Sequence, residues 1–160
     1  MGIECMVSAI PSADVKRFLD DCDGMESLVG GQRAGMFVSL EKAWHGLHYL
    51  LTGSAAEADL PLGFILQGGA EVGGDLGYGP PRMFTDNEVR HLHTALEAVS
   101  DDILWSRFNP EAMSAAGVYP EIWDEPESDL REEYTHYFHE LKKLIAKANA
   151  EGHGLLVVLT

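Results

Sequence analysis

Apolar positions change period along the chain, and the changes mark its elements. Ile3 to Ile10 is a short apolar run with β-branched residues, closed by Pro11-Ser12, and predicts a strand. Ser12 then caps a helix in which Val15, Phe18 and Leu19 share a face. Asp20, Asp21 and Asp23 crowd its far end, where the helix dipole disfavours them, so that end frays toward Gly24. Val29 to Phe37 holds three glycines and reads as a loop.

From Ser39 to Gly53 the pattern predicts one complete helix. Ser39 is placed to cap it, Glu41 suits its first turn, and Gly53 suits a left-handed stop. On a wheel at ~100° per residue, Leu40, Ala43, Trp44, Leu47, Leu50 and Leu51 form one broad apolar face. Gly46 lies at its edge. Glycine within a helix costs ~1 kcal/mol against alanine, so its use there points to close approach of another chain segment. Glu41, His45, His48 and Thr52 line up on the opposite stripe.

Leu60 to Leu66 is apolar and short, a helical turn or a strand. Gly68 to Pro81 has six glycines in fourteen residues and reads as a long loop without a regular element across it. Thr85-Asp86-Asn87-Glu88 is a capping box, and Val89, Leu92, Ala95, Leu96 and Val99 follow inward. A short turn through Leu104, Trp105 and Phe108 comes next. Asn109-Pro110 then starts a helix that Gly117 ends. Val118 to Trp123 is an extended aromatic connection. Pro126 opens the longest helix, to about Ala150, with Leu130, Tyr134, Tyr137, Phe138, Leu141, Leu144, Ile145 and Ala148 on one face.

Leu155 to Leu159 is a continuous apolar run, as in a strand covered on both faces. It is expected to pair with the N-terminal strand. Two strands make too little sheet, so a further strand is expected in Gly31–Phe37, Leu60–Leu66 or Pro81–Phe84. The fold class is therefore α+β: a single domain over residues 1–160, with a small mixed or antiparallel sheet, including the terminal strands, packed against several helices.

Charge alters this picture most. The 160 residues carry 26 Asp and Glu against 11 Lys and Arg, a formal net charge of -15. Such a surface repels nucleic-acid phosphates and anionic membranes and favours a basic protein partner. Cys5 and Cys22 show no metal-knuckle or disulfide spacing. The N-terminus has no signal-peptide pattern, and no apolar stretch approaches ~18 residues. A cytoplasmic chain with reduced thiols is expected.

No phosphate-loop or dinucleotide fingerprint occurs in the glycine-rich loop, and no cofactor is expected. The Asp20–Gly24 cluster lacks the spacing of a calcium loop. Three functional classes stay open. The first is an acidic binding or regulatory module, of immunity or toxin-neutralising type, that meets a basic effector. The second is a small-molecule enzyme with its site between the 39–53 helix and the glycine-rich loop. There His48 is the general acid or base, Asp75 its orienter, Arg82 the anion holder and Tyr78 a donor, with Trp44 lining the site. Arg82 alternatively pairs with an acidic neighbour of this acidic chain. The third is a metal site of Glu41, His45 and His48, an incomplete set on one helix.

Lys42-Ala43-Trp44-His45-Gly46-Leu47-His48-Tyr49-Leu50-Leu51-Thr52-Gly53 resembles the Lys/Arg-x-Trp-x-x-Leu-His-x-x-Leu-Thr-Gly block of the YfbM-like family of bacterial proteins. Gly77-Tyr78-Gly79-Pro80-Pro81-Arg82, the Phe84-Thr85 helix start, and Tyr119-Pro120 with Trp123 are similar to that family too, and the likeness spans the chain. The resemblance implies an α+β fold with a small sheet against helices. It carries no activity, so no site residue is transferred from it.

Overall fold

The computed structural model describes residues 2–24 and 36–160. The two terminal apolar runs form the middle of its sheet. β1 (Cys5–Ile10) and β5 (Gly154–Leu159) pair antiparallel, from Cys5 opposite Leu159 to Ile10 opposite Gly154. β2 (Phe37–Glu41) flanks β1, and β4 (Arg82–Phe84) flanks β5. The two-residue β3 (Ala70–Glu71) completes the order β2-β1-β5-β4-β3. Every pairing is antiparallel, so the sheet is not mixed.

Alternation along the strands feeds two cores. Cys5, Val7, Ala9, Leu155 and Val157 face the main one. They meet Leu92 and Leu96 of α3 (Asp86–Glu97), and Phe138, Leu141 and Ile145 of α6 (Glu127–Ala150). Ile10, Leu156, Val158 and Met83 face the other way, onto Val15 and Phe18 of α1 (Ser12–Asp20). This explains the unbroken apolar run of β5, which is covered on both faces.

α2 (Trp44–Thr52) packs into the main core with Leu47, Leu50 and Leu51 fully buried. Gly46 is where it meets α6 and the aromatic connection. A Cβ there would lie 2.5 Å from Trp123 and 2.7 Å from Tyr134. α3 starts at the expected capping box: Glu88 N–H donates to Thr85 Oγ1 (3.2 Å), and Thr85 N–H donates to Glu88 Oε1 (3.1 Å). α4 (Asp101–Trp105) and α5 (Pro110–Ala115) close one end of the core through Leu104, Trp105 and Met113.

Two expectations change, and others are resolved. The 39–53 helix begins only at Trp44, because Ser39 to Glu41 belong to β2 and pair with β1. Cross-strand hydrogen bonds and the burial of Leu40 override the local helix signals there. Ser39 Oγ accepts from Glu41 N–H (3.2 Å) within the strand end rather than capping a helix. Ser12 is not an N-cap either; Pro11 precedes α1, and Ser12 Oγ donates to Gly152 O (2.5 Å). Leu62–Ile65 is a 3-10 turn, whereas Arg82–Phe84 is the strand expected in the Pro81–Phe84 window. Residues 29–35 of the loop expected over Val29–Phe37 lie outside the described residues, and Phe37 is already strand.

Candidate functional site

The histidine stripe of α2 faces inward, onto the segment that follows the helix. His45 Nε2–H donates to Ala55 O (2.7 Å), while its Nδ1 accepts from Tyr119 N–H (2.9 Å). His48 Nε2–H donates to Ala56 O (2.8 Å), and the residue is 0% exposed. Burial pushes the His48 pKa down from its ordinary value, the Ala56 hydrogen bond opposes this, and His45 adds to it. Both rings act as fasteners of residues 55–56.

The groups expected to join His48 are elsewhere engaged. Asp75 is exposed, and its Oδ1 accepts from Gly77 N–H (2.7 Å) and Gly79 N–H (3.1 Å), which shapes a tight turn in the glycine-rich loop. It is therefore no orienter of His48, whose Nε2 partner is a carbonyl. Tyr78 projects from that turn, 55% exposed. Arg82 holds no carboxylate: its Nη1 donates to Gly68 O (3.1 Å) and its Nη2 to Ile65 O, which ties β4 to the 3-10 turn. Trp44 is buried against His45 and Tyr119, and its Nε1–H donates to Ile3 O (2.9 Å).

Glu41 leaves the histidine stripe because it ends β2 with φ +46°, a left-handed conformation uncommon for a side chain of its kind. The expected Glu41–His45–His48 set is thus not assembled. Among the described residues, no group of three or more His, Cys, Asp or Glu side chains is placed to hold a metal ion.

Glu41 instead opens onto a different feature, a cleft of about 460 Å³ between the ends of β1 and β2, the aromatic connection and the first half of α6. Glu4, Glu41, Glu125 and Glu133 line it, with Lys42, Pro120, Ile122, Tyr134 and Tyr137. In the aromatic connection Glu121 has φ +66° and the Tyr119–Pro120 bond is cis. Tyr137 OH donates to Glu41 Oε2 (3.0 Å). Burial and this hydrogen bond push the Tyr137 hydroxyl up to about 12. Partial burial raises the Glu133 carboxyl above its usual range, and the charges of Glu125 and Glu41 raise it further. No ion pair among the described residues involves these four glutamates or Lys42; the pairs formed lie elsewhere.

Sequence reading singled out only Glu41 of this group. The others come from β1, the connection and α6, so no spacing rule joins them. The one signal was the excess of acidic residues.

The family described as "Domain of unknown function (DUF1877)" matches residues 1–158. The chain belongs to this family. It also shares its fold with "a Protein of Unknown Function YfbM from Escherichia coli", a crystal structure 21% identical in sequence. That match covers 98% of this chain and 99% of the other, with a TM-score of 0.71. No curated protein matches the chain. The family and the shared fold account for the α+β architecture and bring no activity to the cleft. No helix among the described residues is long and apolar enough to cross a membrane.

Proposed function

We propose that the chain is a binding module whose acidic cleft takes up a basic segment of a protein partner. The observation that carries this is the set of four glutamates around one cleft, none held in an ion pair among the described residues. Carboxylates gathered around one cleft repel one another, and a bound cation relieves that repulsion. The net charge of -15 steers a basic partner toward the molecule and turns nucleic acids and anionic membranes away. A regulatory or effector-neutralising role in a bacterial cytoplasm suits such a module. The two free cysteines, Cys5 buried and Cys22 exposed, suit a reducing compartment.

The supporting experiment measures binding of a lysine- and arginine-rich peptide by calorimetry at low and at high salt. Binding is expected to weaken strongly with salt. The double variant Glu125→Gln/Glu133→Gln is expected to bind about tenfold more weakly or worse, as befits loss of charge-assisted hydrogen bonds. A double variant that binds like the parent chain rules the cleft out as the site.

A further inference from the structure

We propose a second binding site, sharing no residue with the acidic cleft, that takes a small amine carrying one apolar ring. It is a pocket of about 290 Å³ where the 3-10 turn, β4 and α3 meet. Leu60, Pro61, Phe64, Phe84 and Leu92 supply its apolar walls. An apolar cavity of about 150 Å³ accommodates benzene, so this larger one has room for a ring and a short side chain.

The walls are set before any ligand arrives. Phe64 and Phe84 meet edge to face, with ring centroids 6.4 Å apart. The two rings come from the elements that Arg82 fastens together through the carbonyls of Ile65 and Gly68. The Arg82 guanidinium also lies 5.7 Å from the centroid of the Phe84 ring. Leu60 packs against Gly68, where an added Cβ would lie 2.8 Å from Leu60 Cδ1. Yet Leu60 stays 48% exposed. A leucine kept half in water beside an apolar hollow leaves hydrophobic free energy unrealised, and an apolar occupant recovers it.

Glu88 decides the charge of that occupant. It is the one carboxylate in the lining, and no lysine or arginine stands there against it. His91, three residues on, is the other titratable group of the rim. Glu88 Oε1 accepts from Thr85 N–H and from the Thr85 hydroxyl, each at 3.1 Å. Its Oε2 has neither a hydrogen bond nor an ion pair among the described residues. The capping bonds orient the carboxylate in advance, which lowers the cost of ordering it around a ligand. Beside apolar walls its charge is screened less than in open water, so it favours a cationic head and repels an anionic one. An ammonium is compact, so head and ring fit one pocket of this size.

The test titrates the isotope-labelled full chain with phenethylamine, phenethyl alcohol and phenylpropionate, and follows the backbone amides by NMR. The three probes share a ring and differ in charge. Shifts are expected to centre on residues 60–64 and 84–92, which carry the pocket. The amine is expected to bind about tenfold more tightly than the alcohol, with no saturable binding of the carboxylate. Glu88→Gln keeps the capping box, because glutamine also serves at that position. This variant is expected to lower the amine to the affinity of the alcohol and to leave the alcohol unchanged. Leu60→Ala is expected to weaken both. Shifts confined to the surroundings of the acidic cleft, or no shifts with any probe, overturn the site. Equal affinity of the parent chain for amine and alcohol overturns the amine assignment. A Glu88→Gln variant that still prefers the amine overturns the role given to Glu88.

Discussion

His45 and His48 sit three residues apart on α2 and make the same kind of contact, a ring N–H given to a carbonyl of the segment beyond the helix. Their second nitrogens differ. His45 Nδ1 accepts from Tyr119 N–H, while His48 Nδ1 is buried with no partner among the described residues. A proton on His48 is therefore unwelcome in the folded chain, and its pKa is lowered from 6.5. The sign follows from linkage. Below about pH 6.5 the unfolded chain takes up this proton before the folded one does. Stability contributed by neutral His48 is full above that pH and is lost as pH falls from there toward the depressed native value. His48→Gln keeps an N–H for Ala56 O and does not titrate. Urea unfolding at pH 7.5 and pH 5.5 is expected to show the parent chain losing more stability than the variant on acidification. Equal losses in the two proteins would exclude His48 as the sensitive group.

At the scale of elements, Gly46 decides how closely α2 approaches its neighbours. The Cβ of an alanine there would fall well inside the contact radius of the Trp123 and Tyr134 rings, both rigid and buried. Gly46→Ala gains ~1 kcal/mol of helix propensity but overpacks the contact. The net expectation is a loss of about 1–3 kcal/mol in denaturant unfolding; an unchanged midpoint would mean that α2 shifts freely. β4 shows a second element held from outside. It has only three residues, and Arg82 ties it to the 3-10 turn through the carbonyls of Gly68 and Ile65. An arginine in an acidic chain invites an ion pair, yet the carbonyls of Gly68 and Ile65 take its N–H donors instead.

Over the whole molecule, 26 acidic residues against 11 basic ones impose self-repulsion on the compact state. Raising sodium chloride from 20 to 200 mM shortens the Debye length below the span of the surface and screens that repulsion. The melting temperature is expected to rise by roughly 2–4 °C, which corresponds to about 1 kcal/mol for a chain of this size. A flat or falling profile would show that local ion pairs such as Arg131–Asp102 (2.8 Å) outweigh the net charge. Part of the same excess charge, Glu4, Glu41, Glu125 and Glu133, lines one cleft.

Much of this architecture follows from the sequence by itself, because it depends on local periodicity and on backbone chemistry. The capping box at Thr85, the apolar face of α6, the glycine stop at Gly53 and the paired terminal strands are all of this kind. Each is set by residues a few positions apart, or by an apolar run that has to be covered. Tertiary structure alone decided the rest. Ser39 and Glu41 carry good helix-start chemistry, but pairing with β1 draws them into a strand and turns Glu41 away from the histidines. Solvation of His45 and His48 depended on where residues 55–56 lie, and that chain packs over the polar stripe and buries it. The acidic cleft joins β1, β2, the aromatic connection and α6, and no local rule relates positions so far apart; only closure of the fold brings their carboxylates together.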